Sequence, residues 1–289
     1  MALLDFFKPN NLSISFELFP PKTEKGMAIL MGHVEKLVDF APSFFTCTYG
    51  AGGSTQSKTL EIVEAVKKAH NIPVASHLTC VGATVDELRA YLNEARQRGV
   101  EYIVALRGDP PKGEESFTAT EGGFSYANEL VELIRSEFSD FGIAVAGYPE
   151  KHQEAPSLEV DLQNLKRKVD AGADIVVTQL FYCNEDFFKF REQYEQAGIT
   201  APLIPGILPV TNLSQIQRIT SLCAAKLPQD FVDELGKKDD ADWQIEVGIQ
   251  QATDQVRELI DAGIPGLHFY VLNKSAATSR VLENLQLTG

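Results

Sequence analysis

Cysteine is scarce in this 289-residue chain: Cys47, Cys80, Cys183 and Cys223 are widely scattered and form no CxxC pair. That spacing gives no disulfide framework and argues against a zinc site. Histidine is nearly as thin, with five residues and neither HxH nor HExxH spacing, so a metal hydrolase is unsupported and no metal is expected. No apolar run approaches the roughly 20 residues of a membrane span, and Met1 to Asn11 lacks a basic start followed by a long apolar core. Positive charge is in deficit: the formal charge is −14, the pI is near 4.8, and no long basic stretch offsets them. Such a surface repels a polyanion, so nucleic acid is not an expected partner. The predicted setting is a reducing cytoplasm, without export and without a membrane partner.

What the chain does contain is a repeated pattern: a short apolar run, a polar or charged residue at its end, Gly or Pro, then an amphipathic helix. The runs are Ser13 to Phe19, Phe44 to Thr48, Val74 to Leu78 and Tyr102 to Leu106, then Ile143 to Tyr148, Ile175 to Leu180, Leu203 to Ile207 and Leu267 to Val271. Most begin roughly thirty residues after the last, the span of one strand, crossover helix and return. A hydrophobic content of 44% suffices for one large core, and length alone allows one barrel or two smaller domains. The repeat favours a single (β/α)8 TIM barrel over residues 1–289, an α/β fold with its chemistry at one rim.

Helices fall between the runs. Thr84-Val85-Asp86-Glu87 reads as a capping box with Leu88 and Leu92 on the buried side and Gly99 as the stop. Two connections are long for this architecture. Asp109 to Phe124 follows a strand end and reads as either a lid or a surface excursion; Leu227 to Asp242, rich in Asp and Lys, reads as an added surface element.

Glu17 lies among aromatic and aliphatic neighbours that exclude water, and desolvation raises a carboxyl's pKa. A neutral carboxylic acid can protonate a substrate nitrogen; a buried Glu paired with Arg or Lys is the ordinary alternative. Alternation puts Ser13, Ser15, Glu17 and Phe19 on one strand face and Ile14, Phe16 and Leu18 on the other, which suits a polar barrel mouth and an apolar exterior. Arg107-Gly108-Asp109 places a cation, a permissive backbone and an anion where a strand emerges. This is the pattern of a cofactor clamp or of a salt bridge closing a turn. The helix after Ser157 carries an apolar stripe of Leu158, Leu162, Leu165 and Val169. Its polar stripe of Asp161, Asn164 and Lys168 suits a ribose and pyrophosphate or simply a solvated face. Tyr49-Gly50-Ala51-Gly52-Gly53 matches neither GxGxxG nor a Walker A loop and suits a tight turn or a close cofactor approach. No predicted strand contains a lysine, so Schiff-base chemistry has no support.

In order along the chain, Ser15-Phe16-Glu17-Leu18-Phe19-Pro20-Pro21-Lys22, Thr48-Tyr49-Gly50-Ala51-Gly52-Gly53, His77-Leu78-Thr79-Cys80, Arg107-Gly108-Asp109, Tyr148-Pro149-Glu150, Thr178-Gln179 and Pro205-Gly206-Ile207-Leu208-Pro209 resemble the methylenetetrahydrofolate reductase family. Each motif is weak alone; their order at successive strand ends is specific. The resemblance implies an FAD-containing barrel that reduces 5,10-methylenetetrahydrofolate to 5-methyltetrahydrofolate, with NADH or NADPH as electron donor. It carries His77, Arg107, Gly108 and Asp109 over as flavin contacts, with Ala127, Tyr148 and His152. Along the following helix it adds Asp161, Asn164, Arg167 and Lys168, and at the second strand end Thr48, Tyr49 and Ala51.

By the same resemblance Glu17 is the general acid, and Asp109 tunes the flavin, since a fixed negative charge disfavours an anionic reduced ring. Gln179 contacts folate and nicotinamide in turn, and Gln215 contacts substrate. Lys274 stands where the family commonly has arginine for the folate's glutamate tail; lysine keeps the charge but loses the bidentate fork, and Arg280 is a candidate substitute. No regulatory domain is expected beyond the barrel, and the outer helices leave room for a homo-oligomer. Two rival readings stand beside this one: another FAD-dependent barrel oxidoreductase, such as a proline dehydrogenase-like enzyme, and a ligand-binding barrel without turnover.

Overall fold

Runs of five to seven residues are too short to be helices and, buried on both faces, pair in parallel. The structure, a computed structural model, describes residues 1–9, 11–49, 56–110, 113–114 and 116–287, with Gln56 and Ser57 as backbone only. The strands are β1 (Ser13–Leu18), β2 (Phe44–Cys47), β3 (Val74–Thr79), β4 (Tyr102–Leu106), β5 (Gly142–Gly147), β6 (Ile175–Thr178), β7 (Leu203–Ile204), β8 (Gly206–Ile207) and β9 (Gly266–Tyr270). All pair in parallel, in the order β7-β6-β5-β4-β3-β2-β1-β9-β8. Pro205 divides β7, which bonds β6, from β8, which bonds β9. The two halves therefore occupy one position of the ring, and the sheet closes as a (β/α)8 barrel.

The helices alternate with the strands: α1 (Glu24–Val38), α2 (Gln56–His70), α3 (Val85–Gln97), α4 (Ala127–Glu137), α5 (Leu158–Asp170), α6 (Asn184–Gln196), α7 (Leu213–Cys223), α8 (Gln229–Gly236), α9 (Ala241–Asp261) and α10 (Ala276–Asn284). The capping box forms as read: Glu87 N donates to Thr84 Oγ1 and Thr84 N to Glu87 Oε2. Phe16 and Leu18 are fully buried between sheet and helices, whereas Glu17 lines a cavity inside the barrel, as the alternation of β1 requires.

The two ends of the barrel differ. At the strands' N-terminal end Phe44, Tyr102, Ile175 and Ile204 meet Leu3 and Phe6 of a 3-10 helix (Leu3–Phe7) that plugs the opening. Phe6 packs on Phe44 and Tyr102 at ring separations of 5.8 and 6.0 Å. Polar residues are left to the opposite, C-terminal end. Leu3 and Phe6, in a segment read only for a leader, thus complete the core.

One expectation is corrected. The segment Leu227 to Asp242 is not a mere surface addition: α8 within it buries Phe231 and Leu235 against Tyr182, Leu208, Val210 and Ile216. This satellite cluster backs the wall of the mouth. It is held by α9, where Gly248 lies so close to Val210 that a Cβ would fall 1.8 Å from the Val210 carbonyl oxygen. Gly248→Ala is expected to cost about 3 kcal/mol, as overpacking against a backbone does. An unchanged urea midpoint would show that α9 is free to move away.

Candidate active site

Glu17 ends the inward face of β1, in register with Thr46 of β2 on one side and Tyr270 of β9 on the other. All three line a cavity of about 500 Å³ at the barrel mouth, together with His77, Asp109, Gln179 and His268. Glu17 is 7% exposed, and burial raises its carboxyl from 4.5 to about 8. The one charged-type neighbour within 4 Å among the described residues is His77, whose Nε2 lies 3.4 Å from Glu17 Oε2. Burial lowers that imidazole to about 4, so both groups are neutral between those values and no ion pair forms. Among the described residues Glu17 has no Arg or Lys partner, unlike the paired residue of the ordinary alternative.

Beneath it, Ser15 Oγ donates to Leu267 O and lies 2.8 Å from His268 Nδ1. A hydroxyl has one proton, so for both contacts to be made His268 must donate from Nδ1. Burial holds His268 at about 3, neutral as well. Thr46 Oγ1 is buried without a partner among the described residues. The floor under Glu17 is polar, and among the described residues it carries no cation that would stabilise a carboxylate.

A second cavity of about 650 Å³ opens between α4 and α5 and shares Leu106, Arg107, Ala146, Tyr148 and His152 with the first. Ala127, Asp161, Asn164, Arg167 and Lys168 line it. Gly108, which lines the first cavity, has φ +90°, and a Cβ there would sit 2.6 Å from Val81 Cγ1, so glycine is required where the strand ends. Lys168 is half-buried; its Nζ donates to Ala146 O, and desolvation lowers it to about 8 while Asp161 opposes the shift. Asp161 is itself occupied, accepting from His152 N at 2.8 Å. Arg107 is paired not with Asp109 but with Glu154, so the turn-closing bridge is not the one formed.

Gln215 and Lys274 line a third cavity of about 270 Å³ that shares Leu208, Tyr270 and Leu272 with the first. Arg280 is elsewhere, in a bidentate pair with Glu246 at 2.5 and 2.7 Å, and lines a different hollow. It is not the substitute for Lys274. Thr48 and Tyr49 lie outside the walls of all three cavities, with Tyr49 edge-on to Tyr91 in the core behind β2. Ala51 lies outside the described residues.

Sequence reading passed over Thr46, His268, Tyr270, Phe117 and Glu154. Extending the alternation of the last strand from Leu267 would have turned His268 and Tyr270 inward. The Arg107–Glu154 pair bridges two loops 47 residues apart and leaves no local signal.

A closed parallel barrel with a desolvated acid at its C-terminal rim and a cation-bearing groove beside it defines the (β/α)8 class, with its candidate site at the rim where this fold carries its chemistry. The sequence profile of the family described as methylenetetrahydrofolate reductase matches residues 3–286. The chain is 38% identical to the 5,10-methylenetetrahydrofolate reductase of Escherichia coli K12, over 95% of this chain and 90% of that protein. It is 41% identical to methylenetetrahydrofolate reductase (NADH) 1 of Zea mays, over 95% of this chain and 48% of that protein; it spans about half the length of its plant relatives. In fold it is similar to a Clostridium thermocellum protein solved with two copies of 5-methyl-5,6,7,8-tetrahydrofolic acid, with a TM-score of 0.62 at 15% identity over 93% of each chain. The chain belongs to the methylenetetrahydrofolate reductase family.

Proposed function

We propose that this chain reduces 5,10-methylenetetrahydrofolate to 5-methyltetrahydrofolate, using FAD held in the two joined cavities and NADH or NADPH as electron donor. The observation that carries the reading is Glu17: a carboxylic acid neutral to about pH 8, at the mouth of the barrel, with no Lys or Arg ion-paired to it among the described residues. Family membership supplies the substrate.

The residues present fit a flavin dinucleotide. Arg107, Arg167 and Lys168 gather in one groove of a chain whose net charge is −14, a donor set that suits a diphosphate. Lys168, half-buried with a backbone carbonyl as acceptor, is a cation that an anionic ligand would satisfy. Asp161 and Asn164 add hydroxyl-binding groups, and Gly108 and Tyr148 give a flat wall near the mouth. When bound, the flavin supplies hydride transfer from nicotinamide to folate.

The chain's own residues supply the rest. Glu17 gives its carboxyl proton to the folate nitrogen released as the methylene bridge opens, leaving an iminium carbon able to accept hydride. Burial keeps the Glu17 carboxyl uncharged beforehand, and His77 and His268, both neutral, add no positive charge that would ionise it. Asp109, exposed at the rim of the cavity, places a fixed negative charge beside the redox site. Gln179 is held by its own Oε1, which accepts from Leu180 N at 2.9 Å, leaving its amide NH2 group to donate to ligands. Gln215 and Lys274 extend the folate site, where Lys274 offers the glutamate tail a single charged point instead of a fork.

Anaerobic mixing tests this reading. The purified flavoprotein's visible band should bleach with NADH or NADPH and return on adding methylenetetrahydrofolate. A band that neither nicotinamide bleaches, or that bleaches and does not recover with folate, would reject the assignment.

A further inference from the structure

Arg107 is held from three sides. Its Nη1 and Nη2 donate to Glu154 Oε2 and Oε1 at 2.5 and 2.7 Å, its Nε donates to Gly108 O at 3.2 Å, and its guanidinium lies 4.8 Å from the centre of the Phe117 ring. The fork that would grip a diphosphate is already filled by a carboxylate.

The two partners are unequally fixed. Arg107 is 21% exposed in its side chain, Glu154 47%. The loop beneath Glu154 is pinned through its backbone: His152 N donates to Asp161 Oδ2, Glu154 N to His152 Nδ1, and Ala155 N to His152 O. Lys151 Nζ adds a bond to Ala155 O at 2.6 Å. The Glu154 side chain can therefore swing into solvent without moving the loop, while Arg107 stays against Phe117 and Gly108.

We infer that Glu154 is a displaceable stand-in for the cofactor's diphosphate: it holds the Arg107 fork spread and charge-balanced until the anionic ligand replaces it. The inference rests on the flavin assignment above and adds a residue that acts through Arg107, without touching the reacting atoms. Its physical basis is that a partly exposed ion pair is weak, so a diphosphate bearing more charge and more acceptors displaces it readily.

Titrating FAD into the purified chain by flavin fluorescence tests this. Glu154→Gln, which keeps the shape and removes the charge, should tighten FAD binding about fivefold, the size of one partly exposed ion pair. The gain should lie in faster association with dissociation unchanged, and it should vanish in an Arg107→Gln background. Weaker binding in E154Q would make Glu154 a strut that stays paired. Unchanged affinity, slower dissociation, or a gain that persists without Arg107 would overturn the proposal equally. Failure of the unaltered chain to take up FAD at all is a distinct result that rejects the flavin assignment itself and the inference with it.

Discussion

Glu17→Gln is expected to lose folate reduction by about 10²- to 10⁴-fold, the usual worth of a positioned general acid, while flavin reduction by nicotinamide stays within about twofold. The amide matches the carboxyl in size, so the cavity bounded by Thr46, His77 and Tyr270 keeps its shape. It cannot release a proton to the folate nitrogen, and that is the step the substitution removes. Hydride transfer from nicotinamide needs no such proton, so the two half-reactions should separate. The unaltered chain should show the same division in its pH dependence. With the carboxyl at about 8, folate reduction declines as pH rises through that value, and nicotinamide oxidation does not follow it. Equal damage to both half-reactions in Glu17→Gln, measured by anaerobic stopped-flow, would remove Glu17 from the acid's role.

The barrel was legible because its signal is periodic. Strand β1 announces a polar interior and an apolar exterior by alternation alone, and the Thr84 box announces a helix start by reciprocal hydrogen bonding that only local residues make. Where two distant segments meet, the sequence is silent. The split of the seventh ring position at Pro205, the plug formed by Leu3 and Phe6, and α8 behind the mouth all depend on tertiary packing. The site follows the same rule. Glu17, Arg107 and Tyr148 stand at strand ends and could be found by position. Glu154 reaches Arg107 from another loop, and Arg280, two turns beyond Lys274 in sequence, is drawn away by Glu246 on α9. Charge type was readable from the chain; the partner each charge chose was not.

The carboxyl proposed as the acid should also weaken the fold in alkali, and the same substitution measures by how much. Glu17 has a folded value of about 8 against 4.5 in the free side chain, so between those pH values the unfolded chain ionises and the folded chain does not. The unfolded state then binds fewer protons, and stability falls with rising pH, by about 1.4 kcal/mol for each pH unit across that window. The full loss approaches about 5 kcal/mol above pH 8, a ceiling that any water entering the cavity lowers.

His77 and His268 act in the opposite direction. Their values are lowered from 6.5 to about 4 and about 3, so their contribution is present above 6.5 and is lost as pH falls. They do not contribute to the alkaline loss. Glu17→Gln removes the carboxyl's titration and leaves theirs, so the two proteins should have nearly equal melting temperatures near pH 4.5. The variant should be the more stable by on the order of 10 °C at pH 9, with both proteins in the same cofactor state. A difference that does not grow with pH would mean that water reaches Glu17 freely. The cavity floor of Thr46, His77 and His268 would then not be the dry support that keeps this acid protonated.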